Sequence, residues 1–358
     1  MNTKYIYLIA FILYFFQYNI TAQPISTNCN LERYIDRPLT LHKNNFEFAC
    51  GYEFGALLNT FDENGKNINL ADAGIAASKY MLEFQLTYGI TERLQLQTLI
   101  SNNSYKKTFS PVVYKGIGNN LLQFYEIQTK TGFSDPNIRL NYLLLNNDCK
   151  LSLSFGGGIS VPIFKYRPEN PEIDSSGEDL VTKYQFVYKY HNGLGTPVYN
   201  LNIVLKYRFG DIGGNNFLSK VNARLLTDYY TAPSTISTND WQYIFNSEYP
   251  NSVTYQSLPL KYKEGSWFSN RLFIDYQAFS ITSFLMGFSN KYYFHGWTQY
   301  SSMKVAENDL YESDLLLGTH IQATSQFRID ELITVPVCGE NTESYFTWQT
   351  ALIYYIKK

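Results

Sequence analysis

Residues able to do chemistry are few and scattered in this chain of 358 residues. Its histidines are His42, His191, His295 and His320, and none stands in the HExxH spacing that sets two imidazoles on one helical face for zinc. No GxSxG elbow is present to expose a serine nucleophile, and no Gly-rich loop of the kind that cradles phosphates. His191-Asn192-Gly193, beside many serines, reads as a turn. Asp62-Glu63-Asn64-Gly65-Lys66 begins like a calcium loop but lacks the spaced ligands and closing Glu of an EF-hand, so a polar hairpin turn is expected. Asp135-Pro136 reads as a strand-entry turn. Cys29, Cys50, Cys149 and Cys338 are too far apart for a CxxC metal knuckle. In an exported protein they allow three fully paired connectivities, with free thiols as the alternative. No catalytic residues, metal site, cofactor or enzymatic activity are expected.

The side chains left to carry function are charges that recur on one face of alternating segments. They are Glu47, Glu53, Glu83, Arg93, Arg139, Lys150, Lys206, Arg208, Lys220, Arg224 and Asp275. The elements holding them repeat every two residues. Phe46, Phe48, Cys50, Tyr52, Phe54, Ala56 and Leu58 alternate with Glu47, Ala49, Gly51, Glu53 and Gly55. The clearest case sets Tyr199, Leu201, Ile203, Leu205, Tyr207 and Phe209 against Asn200, Asn202, Lys206 and Arg208. Such a period gives a strand with one apolar and one polar face. Similar runs lie near 82–88, 94–100, 138–144, 151–161, 221–225, 272–277, 315–323 and 346–356. Residues 281–288 are apolar on both faces, and the turn near Ser280 lacks Gly and Pro.

Composition suits a sheet facing lipid. Aromatic residues make up 17%, with 32 Tyr and 25 Phe, and mean hydropathy is −0.25. A helical membrane protein would be clearly positive, whereas a barrel turns half of each strand to a polar interior. A net charge of −2 leaves no polybasic footprint for nucleic acid. Lys4 followed by the apolar run Tyr5 to Phe16 reads as a signal peptide over 1–22, cleaved after Ala22. A periplasmic segment over 23–44 and a barrel over 45–358 are then expected. Long connections near 59–79, 101–133, 163–197 and 229–267 alternate with short ones near 89–92, 146–148 and 210–216. That asymmetry belongs to barrels with extended outer loops and tight periplasmic turns.

Some of these segments resemble predicted outer-membrane transporters related to the meta-pathway phenol-degradation family of β-barrel proteins. Those segments are Asp36-Arg37-Pro38 ahead of the first strand, Leu86 to Leu94, Gly132-Phe133-Ser134-Asp135-Pro136 leading to Tyr142, and Gly156 to Pro162. The resemblance covers roughly 36–210. Ala49 stands where the family pattern favours an acid, Ile163 follows Pro162 in place of a small residue, and the chain ends without the usual terminal Phe. It implies an outer-membrane channel or transporter for small compounds, hydrophobic or aromatic ones among them.

The fold expected is all-β: a transmembrane antiparallel up-and-down barrel of about twelve strands in the bacterial outer membrane, with both termini periplasmic. Its partners would be outer-membrane lipid, the barrel-assembly machinery and a small-molecule solute passing a lumen selected by the charges above. The alternative is a non-transporting surface protein whose long loops bind a partner or host surface.

Overall fold

The computed structural model describes residues 39–68, 74–115, 121–147, 151–164, 172–178, 181–191, 195–210, 216–245, 253–300 and 303–357. The expected signal peptide, Asp36-Arg37-Pro38, Cys29, Cys149 and Lys150 lie outside them. The strands are β1 (Phe46–Phe61), β2 (Asn67–Ile68), β3 (Ile75–Gly89), β4 (Leu94–Lys115), β5 (Leu121–Phe133), β6 (Asn137–Asn147) and β7 (Leu151–Ser160). Then come β8 (Glu172–Glu178), β9 (Val181–His191), β10 (Val198–Arg208), β11 (Val221–Thr231), β12 (Ile236–Phe245), β13 (Val253–Lys263) and β14 (Ser266–Gln277). The last six are β15 (Thr282–Phe294), β16 (Trp297–Tyr300), β17 (Met303–Ala306), β18 (Leu310–Gln322), β19 (Phe327–Glu340) and β20 (Glu343–Ile356).

Twelve of these close on themselves. The antiparallel order β1-β3-β4-β6-β7-β10-β11-β14-β15-β18-β19-β20 returns to β1, which pairs with β3 on one side and β20 on the other. Closure follows from the solvent. Hydrocarbon offers no partner for an edge strand's N–H and C=O groups, so a sheet that spans a bilayer must have no edge.

Burial is inverted relative to a soluble protein. On β10, Tyr199, Leu201 and Ile203 are 47%, 49% and 45% exposed, whereas Asn200 and Asn202 between them are 1% and 7% exposed. The same parity puts Phe48 and Tyr52 of β1, Leu140 and Tyr142 of β6, and Phe284, Met286 and Phe288 of β15 on the outside. The largest fully buried side chains are polar: Asn200, Asn222, Asp275, Asp314 and four serines. The apolar belt faces lipid and the polar face forms the interior.

The stretch 281–288 resolves on the same rule. Phe284, Met286 and Phe288 point outward, while Leu285 packs inward against Phe273 of β14 and Leu316 of β18, flanked by Leu226 and Leu332. Its turn needs no glycine because Gln277 donates Nε2 to the Phe279 carbonyl at 2.7 Å and Phe279 N–H bonds the Thr282 carbonyl.

Two expectations about connections are corrected. Much of the stretches taken as long loops is strand: β4 runs on to Lys115, β5 pairs with it and lies parallel to β9, and β12-β13-β16-β17 form a separate four-stranded sheet. Outside the bilayer both strand faces can be wet, so Tyr, Thr and Gln-rich sequence pairs without the alternation that marks the lipid zone. The outer connection between β19 and β20 is only Asn341-Thr342, turned by Asn341 at φ 51°. The Asp62 to Lys66 turn is as read, with Asp62 Oδ1 accepting from the N–H groups of Asn64 and Lys66 at 2.9 Å. His191 ends β9 and is part of a strand, not a turn. Cys50 and Cys338 carry free thiols.

The inverted burial sets an asymmetric mutational response. Leu201→Arg should cost about 2–4 kcal/mol if Leu201 lies near the bilayer midplane, while Leu201→Phe should be nearly neutral. Urea titration of the barrel folded into vesicles measures the difference.

Candidate functional site

The interior is built in polar layers. Near the periplasmic end, Arg224 of β11 grips Asp275 of β14 with two parallel bonds, Nε to Oδ2 at 2.6 Å and Nη2 to Oδ1 at 2.8 Å. This bidentate geometry suits a planar guanidinium and a carboxylate. Asp275 is fully buried, and His320 Nε2 of β18 stands 3.8 Å from it. His320 Nδ1 lies 2.9 Å from Asp330 of β19, which also takes a 2.7 Å bond from Arg328 Nε. Arg328 Nη1 then donates to the Tyr355 hydroxyl of β20 at 2.9 Å. β15, lying between β14 and β18, contributes only the small Ser283 opposite His320, which leaves room for the imidazole to approach Asp275.

A second network lies further along β11. Arg139 of β6 bonds Asn200 Oδ1 at 3.0 Å and the Tyr230 hydroxyl at 2.8 Å, and approaches Asp228 at 3.5 Å. Asp228 also receives Arg271 of β14 at 2.9 Å. To reach Asn200, Arg139 must cross β7, whose inward positions there are Gly156 and Gly158. A Cβ on Gly158 would stand 2.3 Å from the Ile138 carbonyl oxygen and 2.9 Å from Arg139 Cα. At Gly156 a Cβ would fall 2.0 Å from the Oδ1 atoms of Asn141 and Asn202, so the glycine run singled out in the sequence makes room for the inward side chains of both neighbouring strands.

Other inward charges pair between adjacent strands or across intervening ones. Glu53 of β1 meets Lys79 of β3 at 2.9 Å, with Gly55 leaving room for the lysine stem. Lys107 of β4 bonds Glu343 of β20, which also accepts from Tyr345 at 3.2 Å. Lys291 of β15 reaches Glu312 at 3.0 Å and the buried Asp314 at 3.3 Å. Between these layers the wall carries the apolar patch of Leu226, Phe273, Leu285, Leu316 and Leu332.

At the periplasmic end, residues 39–45 fold back across the barrel. Leu41 N–H donates to Gln95 Oε1 at 3.0 Å, Asn44 N–H to the Gly89 carbonyl at 2.8 Å, and Thr40 Oγ1 to the Glu92 carbonyl at 3.3 Å. The exposed side chains of His42 and Glu92 meet at 2.8 Å. Gly89 has no side chain to block the strap, since a Cβ there would fall 2.1 Å from the His42 carbonyl oxygen. Strap and barrel together line a half-open cavity of about 250 Å³. The bond from His42 holds the Glu92 carboxyl below its ordinary range.

Of the charges taken from the sequence, Glu47, Glu53, Glu83, Arg139, Lys206, Arg208, Arg224 and Asp275 occupy inward positions on strands. Arg93 and Lys220 are corrected: Arg93 is exposed in the β3–β4 turn, and Lys220 closes a short 3-10 helix, Leu218–Lys220, ahead of β11. Both keep the parity of the polar face, but the strand period continues past the last ladder bond, so alternation alone misplaces them. Lys150 lies outside the described residues. Alternation put His320 on the polar face of its strand but not among the lumen charges, and sequence reasoning missed Asp228, Arg271, Lys291, Asp314, Asp330, Arg328 and Glu343. Continuing the parity of β11 and β14 by a few positions would have found Asp228 and Arg271.

An apolar belt around a closed sheet with a charged interior defines an outer-membrane β-barrel. Its fold is similar to that of an outer membrane channel from Pseudomonas putida F1, with a TM-score of 0.57 and 12% identity over 88% of this chain and 97% of that one. The Ralstonia pickettii toluene transporter is more distant, at 0.43 and 8% identity over 88% of this chain and 90% of that one. No protein-family profile matches the sequence, and no curated protein matches it.

Two predictions test the layers. Asp275→Ala leaves the Arg224 guanidinium buried beside no carboxylate and should destabilise the barrel by about 3–5 kcal/mol, read by urea unfolding in vesicles. Glu92 has a lowered folded pKa, so its hold on the strap is present above the ordinary carboxylate value of 4.5 and is lost as pH falls through the lowered one. Lys43 N–H donates to Glu92 Oε1 at 3.3 Å, so amide exchange at Lys43 should quicken in acid, normalised to intrinsic exchange, and Glu92→Gln should show the quickened rate already at neutral pH.

Proposed function

We propose that the protein is a channel that lets small solutes cross the outer membrane. The observation that carries this reading is the wall itself: a closed, lipid-facing barrel whose inner surface stacks charged layers around an apolar patch. Rings of fixed charge at close quarters select what passes. Leu226, Phe273, Leu285, Leu316 and Leu332 pack against one another and fill the wall between the layers, so the charged layers do the selecting; small molecules, hydrophobic or aromatic ones among them as the sequence resemblance implies, are the solute class this reading favours. The strap over residues 39–45 narrows the periplasmic exit. The strands beyond the bilayer, β5, β8 and β9 together with the β12-β13-β16-β17 sheet, frame the entrance.

The proposal is tested by planar-bilayer recording of the refolded chain. Discrete conductance steps are expected, and deleting residues 39–43 should enlarge them by about twofold or more if the strap narrows the path. A folded barrel with no conductance, together with unchanged solute uptake in a strain lacking the protein, would sink the proposal.

The outer four-stranded sheet favours a second reading, a surface protein that binds a partner. Removing that sheet would then abolish binding to the partner and leave permeability as it was.

A further inference from the structure

The stagger of the strands decides which inward side chains meet across the lumen. Arg271 of β14 and Glu83 of β3 both face inward, and their strands stand on opposite sides of the barrel, with five strands between them in either direction. Their relative height follows from the ladders. From Arg271, rungs followed through β11, β10, β7 and β6 reach Arg93 of β4 and so point at Thr91, just past the end of β3. Followed the other way, through β15, β18, β19, β20 and β1, they point at Ala77. The strands of a barrel share one tilt, so the two routes depart from level by equal amounts in opposite directions. The position on β3 level with Arg271 therefore lies midway between Thr91 and Ala77, at Phe84 and Glu83. Tyr80 and Leu86 turn the even positions outward, which leaves Glu83 in the lumen.

Electrostatics agrees with the level. The Arg271 charge acts on the Glu83 carboxyl across the lumen, with Glu53 of the adjacent β1 as the other charge in reach. No hydrogen bond or ion pair joins Glu83 to Arg271 among the described residues, so the two face each other over a gap. Arg271 is held from its own side of the barrel. Its Nη2 donates to Asp228 at 2.9 Å, while its side chain stays 41% exposed. Toward the outer end, on the same face of β14, Trp267 stacks on Tyr230 of β11 with ring centroids 3.7 Å apart and planes at 7°. That stack gives the guanidinium a flat flank.

We infer that Glu83 and Arg271 are the specificity-determining pair of the channel: opposite charges set on opposite walls at one level, with the solute's path between them. A field running across the path turns a dipolar molecule, donor end toward Glu83 and acceptor end toward Arg271. Small dipolar solutes are therefore the class this aperture suits. Either charge alone would instead favour ions of the other sign. The inference rests on the channel reading, which supplies the path.

The test records the full refolded chain in planar bilayers under a potassium chloride gradient, in mildly alkaline buffer. Glu83→Gln should lower the cation-to-anion permeability ratio about fivefold, the effect of one unit charge about 4 Å away in water. Arg271→Gln should raise it by a similar factor, and Arg271→Lys, which keeps the charge, should leave it near the unsubstituted value. Lys66→Gln on an outer hairpin should not move it. Glu83 makes no bond that its substitution would break, so that variant reads selectivity apart from folding. Distance is read separately. In a chain whose four native cysteines are replaced by serine, Glu83→Cys with Arg271→Cys should be joined by a short bismaleimide, and the current should fall. A conducting barrel whose ratio Glu83→Gln does not move, or whose paired cysteines the reagent does not join, overturns the aperture and leaves the channel standing. A folded barrel that conducts nothing overturns the channel reading and the aperture with it.

Discussion

Every feature of this molecule depends on the rule that a backbone polar group in hydrocarbon must find its partner within the protein. That rule closes the sheet, and closure divides each strand into a lipid side and a lumen side. Leu201 is therefore half exposed while Asn200 beside it is fully enclosed, and the same alternation places Phe284 outside and Leu285 inside. Once the inner face is sealed from lipid it must satisfy its own charges, and the ion-pair chains through Arg224, Asp275, His320, Asp330 and Arg328 follow from that.

These chains depend on small residues as much as on charged ones. Gly158 lets Arg139 cross β7, Gly156 makes room for Asn141 and Asn202, Ser283 opens the approach of His320 toward Asp275, and Gly89 admits the strap. Charge selects the partner, and a missing side chain sets the distance over which it can be reached. A lumen wall is therefore specified by its small inward residues together with its charged ones.

The barrel was legible because its signal is local. A period of two over β1 or β10 needs no partner strand to be read, and the count of about twelve followed from turns between such runs. The outer strands were not legible, since β5, β9, β12 and β13 lie where both faces meet water and no alternation is imposed. Inward charges were found wherever alternation was clean, as at Arg139 and Asp275. They were lost at strand ends, where Arg93 and Lys220 continue the period into a turn. Pairing was beyond reach: nothing in one strand's sequence says that Arg139 meets Asn200 across an intervening strand, because that contact is set by the barrel's curvature and by the glycines of β7.

The seam of the barrel joins β1 to β20, strands from opposite ends of the described sequence. Every other neighbouring pair except the local β19–β20 hairpin can form while synthesis or insertion is still in progress, but the seam cannot begin until the last strand is present. It is the contact of greatest sequence separation in the barrel, the kind that closes late and slowly. Until then Phe46 to Phe61 is an open edge with its apolar face bare. A chain cut short before Glu343 would thus remain an unclosed, aggregation-prone sheet, so the integrity of the whole wall is read out by its final fourteen-residue strand.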